Sequence, residues 1–258
     1  MRGLPPAELA DLIKATITYE ATHHAFVTRY REPIIGFLAA DDPRFAKLSQ
    51  WTQIKHWMPA DLLPDAQSVV VFFLPFAPEI AHANARDEEP VALEWAIAYQ
   101  DTNTLIGEIT TLLGEVLSQH GIRSAAQPAT GNFKQSELRS PWSHKSLAVM
   151  AGIGSFGLHQ LVITDAGCAG RLGSLVIDAK LPAVQPVPKE RCEYFEFGTC
   201  IACLEACPVN AISEDQPLDR RACWQQCHKN GAGFVDIGKI NVCGKCAVMG
   251  PCTLHSAV

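Results

Sequence analysis

The 258-residue chain carries ten cysteines, and all but Cys168 stand beyond residue 190. Cys200, Cys203 and Cys207 are separated by two and then three residues, and Pro208 follows at once. That is the ligand run of bacterial ferredoxins with its first cysteine displaced upstream. A 4Fe-4S cube needs four soft thiolates that converge without strain. A tight loop supplies two or three, and a distant cysteine completes the set. Pro208 stops a helix at the cluster edge and directs the last thiolate to a neighbouring cube. Cys243, Cys246 and Cys252 form a second, looser run. In paired clusters the last cysteine of each run serves the other cube. One cluster is therefore expected on Cys192, Cys200, Cys203 and Cys252, and the second on Cys207, Cys223, Cys243 and Cys246. Cys227, one helical turn beyond Cys223, is an alternative to it, and Cys168 reads as a small buried filler. Paired C-x-x-C runs also suit tetrahedral zinc. The Cys-Pro ending and the three-residue gap favour iron and sulfide.

Two adjacent cubes pass single electrons, so the rest of the chain should build what they reach. His144 opens Ser143–Met150, which reads as a helix. Ala151-Gly152-Ile153-Gly154-Ser155-Phe156-Gly157 then makes a glycine-rich turn. Gly152, Gly154 and Gly157 let backbone approach a flat group closely, with the N–H groups of Ile153 and Ser155 beside them. A helix cap followed by a hairpin is the plainer reading of the same residues. The spacing Gly-x-Gly-x-x-Gly follows a helix and precedes a strand, the reverse of dinucleotide-binding order, which excludes that use.

The positioning elements are legible from periodicity. Pro6 to about Tyr30 reads as a helix, and Arg31–Leu38 as a short strand. Ser68–Leu74 is continuously apolar and ended by Pro75, as a strand buried on both faces would be. Ala77–Pro90 reads as a surface loop, and Val91 to about His120 as a long helix capped by Gly121. Strands are expected near Ile122–Ala126, Leu161–Thr164 and Leu172–Ile177, the last two joined as a hairpin through Ala166–Gly170. Pro182, Pro186 and Pro188 mark a linker, which divides the chain into 1–187 and 188–258.

Apolar content of 48% and charged content of 19% describe an ordinary globule with ample core. The net charge of −6 disfavours nucleic acid as a partner. No apolar run approaches the roughly 20 residues of a membrane helix. The opening residues lack an export signal, so the expected location is cytoplasmic.

Ser143 through Gly157, then a strand pair, then the double-cluster region, resemble the epoxyqueuosine reductase and reductive dehalogenase superfamily. The similarity runs from about residue 60 to the C-terminus and rests on the Ala-Gly-Ile-Gly turn and the order of the parts. It implies an α+β fold, a nitroreductase-like cobalamin domain followed by a small ferredoxin-like domain. It also implies a base-off cobalamin fed by two 4Fe-4S clusters. Epoxyqueuosine reductases carry an aspartate proton donor where His144 stands, so the resemblance makes His144 the candidate acid. The lysine and asparagine that follow the turn's last glycine in that family are Leu158 and His159 here. No helical repeat of the kind those enzymes use to grip tRNA follows Cys252. The expected protein is a reductase of a small substrate, with ferredoxin or flavodoxin as donor. The rivals are an electron-transfer protein that reactivates a corrinoid partner, and an epoxyqueuosine-type tRNA reductase.

Overall fold

The computed structural model describes residues 4–86, 90–183 and 189–258. In chain order the elements are α1 (Pro6–His23), β1 (Ile34–Ala39), α2 (Phe45–Thr52), α3 (Pro59–Leu62) and β2 (Ser68–Pro75). Then come α4 (Pro78–Arg86), α5 (Leu93–Gln119), β3 (Ser124–Ala126), α6 (His144–Met150), β4 (Gly154–Phe156), β5 (Val162–Thr164) and β6 (Gly170–Ile177). Four short helices close the chain: α7 (Glu193–Phe197), α8 (Ala202–Glu205), α9 (Arg220–Gly231) and α10 (Lys245–Val248).

An antiparallel sheet in the order β1-β2-β6-β3 forms the middle layer. All eight residues of β2 are buried, as its unbroken apolar run requires. Because successive side chains point to opposite faces, Val70, Phe72 and Leu74 pack with α1 and α5. Val69, Val71 and Phe73 pack with α2 and α6 on the other face. A third core joins α4 and the start of α5 to the cysteine-rich segment, with Trp95, Ile163, Cys203 and Val248 among its members. The 187/188 division and part of the 182–188 linker fall outside the described residues, and this third core draws on both sides of it.

Several expectations need correction. The first helix stops at His23, not near Tyr30, because the next residues turn back along α5 in extended form. There Thr28 N–H and Oγ donate to Asp101 Oδ2 at 3.2 and 2.6 Å, and Tyr30 Oη bonds Thr102 Oγ1 at 2.8 Å. Within the stretch expected as a surface loop, Pro78–Arg86 form a helix, and 87–89 lie outside the described residues. Pro78 opens α4, where a missing N–H costs nothing, and Ile80, Ala81 and Asn84 are buried. The strands β5 and β6 do not form a hairpin. Gly167 makes a tight turn at φ +79°, but β5 pairs with β4 in a separate two-stranded sheet while β6 enters the main one. No helix among the described residues is long and apolar enough to cross a membrane.

Candidate functional site

The cysteines gather as two groups. Cys192, Cys203 and Cys252 are buried and Cys200 is half-buried. Burial, then the nearby charges of Cys252, Cys192 and Cys200, push the Cys203 thiol up to about 12. Cys207, Cys223, Cys243 and Cys246 line a cavity of about 310 Å³, with Cys227 also on its wall. Burial and the charges of Cys243, Cys223, Cys203 and Cys207 raise Cys246. Thiols that oppose one another's ionisation in this way need a cationic centre to hold them as thiolates.

The spacing bears on which centre. A tetrahedral zinc with Zn–S of about 2.3 Å would bring its sulfurs to about 3.8 Å from one another. Among the described residues, only His159, Cys168 and Cys252 form a group of three or more ligands within 4.8 Å. Neither four-cysteine set is closed that tightly. Cys227 hydrogen-bonds Cys223, holding Cys223 down to about 7 while Cys227 itself is raised. The charge of Lys145 also favours the Cys223 thiolate.

Two further spaces adjoin the cysteine cavity, one larger and one slightly smaller. One, of about 640 Å³, has Trp51, Arg139, Lys145, Met150, Phe156 and Arg220 on its wall. The other, of about 290 Å³, is lined by Asn132, His144, Lys145, Leu161, Cys168 and Arg171 among others. Lys145 belongs to all three walls. Among the described residues, no carboxylate lines any of them. The Lys145 side chain is accessible and opens onto these spaces, with protein packed around it. Its Nζ donates to Gln160 O at 2.9 Å, and burial, then Arg220, lower its pKa. Arg171 is enclosed as well, its guanidinium 4.4 Å from the Tyr99 ring and its Nε bonded to Asn103 Oδ1 at 2.8 Å.

His144 sits at the first position of α6, capped by Ser143 Oγ, which accepts from Ser146 N–H at 3.2 Å. Its ring is spent. Nε2–H donates to Pro128 O at 3.0 Å, so Nδ1 accepts from the Ser174 hydroxyl at 2.9 Å. Trp142 Nε1–H donates in turn to Ser174 Oγ at 2.9 Å. Burial lowers the His144 pKa, keeping the imidazole neutral.

The glycine turn has local reasons for its composition. Gly152, at φ +74°, ends α6, where its N–H bonds Val149 O. A Cβ on Gly154 would meet Val162 Cγ1 at 2.3 Å, and one on Gly157 would meet His159 Cε1 at 2.6 Å. Ser155 Oγ donates to Glu190 Oε1 at 3.2 Å. Gly152, Ile153, Gly154, Ser155 and Gly157 are absent from all three walls, whereas their neighbour Phe156 is present. Sequence reasoning passed over Lys145, Arg171 and His159. A lysine in the first turn of an apolar helix and an arginine inside an apolar strand were the available signals.

No family model matches the chain. Over 169 residues it is 31% identical to the epoxyqueuosine reductase of Escherichia coli (strain K12), a match covering 64% of this chain and 41% of that protein. The Yersinia pestis epoxyqueuosine reductase is 40% identical over 93 residues, 36% of this chain and 21% of its own. An epoxyqueuosine reductase solved with an epoxyqueuosine-modified tRNA-Tyr stem loop superposes with a TM-score of 0.61 at 19% identity. That match covers 95% of this chain and 65% of the other. The superfamily resemblance holds in sequence and in fold. A catabolic reductive dehalogenase in complex with 3-bromo-4-hydroxybenzoic acid matches all of this chain and 33% of its own, with a TM-score of 0.63 at 18% identity. The chain thus spans about 41% of the Escherichia coli relative's length. The fold common to the superfamily's structures is the mixed α/β arrangement described above.

Proposed function

We propose that the protein is an iron–sulfur oxidoreductase that delivers electrons through two 4Fe-4S clusters into the enclosed space beside Lys145. One observation carries the reading. The cavity bounded by Cys207, Cys223, Cys243 and Cys246 shares Lys145 with both neighbouring spaces, so a cube there would face them directly. Cys192, Cys200, Cys203 and Cys252 would hold the other cube, and Cys223 would complete the one beside Lys145, with Cys227 next to it as the alternative ligand. A ferredoxin or flavodoxin is the donor class that matches such clusters.

The larger space suits a cobalamin in its chemistry. Trp51, Met150 and Phe156 offer apolar surface, Asn132 and Ser146 offer hydrogen bonds to amide arms, and Arg139, Lys145 and Arg220 balance a phosphate. When bound there, a cobalamin supplies a reducing metal centre for breaking a polarised carbon–heteroatom bond. Replacing that bond by carbon–hydrogen takes two electrons and one proton, and the heteroatom leaves as an anion. Lys145 is the proton source this geometry favours, because it is a cation that opens onto all three spaces. His144 lacks a free nitrogen and serves to position α6 through Ser174 and Pro128. The missing carboxylates and the cations Arg171 and Lys145 favour a small substrate that is itself anionic.

Anaerobic reconstitution followed by iron, zinc and cobalt analysis tests the reading. About eight irons per chain are expected from two cubes, with retained cobalt where cobalamin is bound. Iron without cobalt would support the electron-transfer rival, and zinc without iron would overturn the assignment. A second reading rests on the sequence matches, which are to epoxyqueuosine reductases. Turnover of an epoxyqueuosine-bearing stem loop, with binding that weakens steeply as salt rises, would select it.

A further inference from the structure

His159 lies in the turn between β4 and β5, 4% exposed, with its ring packed against the bare Cα side of Gly157. The imidazole is held at both ends. Leu161 N–H donates to Nδ1 at 3.1 Å, so Nδ1 is the unprotonated nitrogen and Nε2 carries the hydrogen. Nε2 faces Cys252 Sγ at 3.6 Å. Cys168 Sγ stands within 4.8 Å of both and reaches Ala247 O at 3.4 Å.

The trio is compact enough for a single metal ion, but its own hydrogen bonds argue otherwise. The nitrogen that would have to ligate holds the proton, and Leu161 fixes that tautomer. Cys252 also stands among the thiolates around Cys203, which gives its sulfur a cluster to serve. We propose that His159 is an outer-sphere donor to the first cluster. Its Nε2–H bonds the Cys252 thiolate and raises the reduction potential of the cube on Cys192, Cys200, Cys203 and Cys252. A reduced cluster carries one more negative charge than an oxidised one. An N–H aimed at its ligand sulfur therefore stabilises the reduced form more. At the second set Ala211 N–H reaches Cys207 Sγ at 3.2 Å and Cys227 hydrogen-bonds Cys223, and neither contact involves His159. The second cluster is thus an internal reference. His159 shifts the resting place of the first electron towards the first cube.

This inference rests on the cluster reading above. The test is an EPR-monitored redox titration of the full chain, reconstituted without air, as wild type, His159→Leu and His159→Gln. Leu removes the donor with similar apolar bulk, and Gln keeps an N–H₂ group. The expected result is a lower midpoint for one cluster in His159→Leu, an unmoved second cluster, unchanged iron content, and partial recovery in His159→Gln. Unmoved midpoints, or equal shifts in both clusters, would overturn it. So would a shift that Gln does not recover, which assigns the effect to packing. Loss of iron in His159→Leu would make His159 a ligand or a structural support and overturn it as well. Wild-type protein without iron removes the cluster reading itself, whereas unmoved midpoints in iron-loaded variants remove only this inference.

Discussion

His144 and His56 are buried imidazoles with both nitrogens in use. His56 Nδ1–H donates to Trp57 O at 2.7 Å, and its Nε2 accepts Ser143 N–H at 3.0 Å. Burial holds both below the ordinary 6.5. The unfolded chain therefore binds protons below about pH 6.5 while the folded chain does not. Their stabilising contribution is complete above that pH and is lost as pH falls through the folded values. Urea midpoints should drop on acidification, and His144→Gln should flatten that drop by removing one titrating ring. The same variant should leave cluster content intact. Lys145→Gln should retain both clusters yet lose at least about 100-fold in turnover, the ordinary scale for removing a positioned acid. Equal turnover would dismiss Lys145 as the proton source. His144 was visible in the sequence because of where it falls in a motif. That its nitrogens are occupied depends on Pro128 and Ser174, distant in sequence and reachable only in the fold.

At the scale of elements, α4 ties the sheet half of the molecule to the second cysteine set. Asn84 is fully buried: its Nδ2 donates to Cys243 O at 3.0 Å and its Oδ1 accepts Ala92 N–H at 3.0 Å. Asn84→Ala strands both backbone groups, at about 1–3 kcal/mol each. Thermal unfolding should show the loss, and iron at the second cluster should become easier to chelate. Gly244 is constrained twice, by φ +77° and by the Trp95 indole, whose Cε2 would lie 2.3 Å from a Cβ. Gly244→Ala should displace the Cys243–Cys246 loop and leave about four irons of eight. Retention of all the iron would show that the loop tolerates the shift. The helix α4 escaped sequence reading because its buried face is short and includes an asparagine. The strand β2 did not escape, because burial on both faces leaves an unbroken β-branched and aromatic run in the sequence.

For the whole molecule, the proposed clusters and the third core would hold the cysteine-rich segment together. Helices of four or five residues such as α7, α8 and α10 do not persist alone. Trp95, Ile163 and Ala92 cover part of this segment. Arg31 also anchors it, donating to Leu254 O at 2.7 Å and to Ala166 O at 2.6 Å. Chelating the iron should expose residues beyond about 190 to protease while the β1-β2-β6-β3 sheet stays protected. Cleavage spread evenly through the chain would refute that division of labour.

The cysteine spacings alone propose two sulfur-ligand sets, because thiolate runs on short loops have few ways to converge. Hydrophobic period places α5, and an unbroken apolar run places β2. Only the tertiary structure brings Lys145 to the wall between the cysteine cavity and the neighbouring spaces, turns the His159 proton towards Cys252, and occupies both nitrogens of His144. Those outcomes depend on partners from separate stretches of chain, and no local pattern encodes which distant carbonyl or sulfur a side chain will meet.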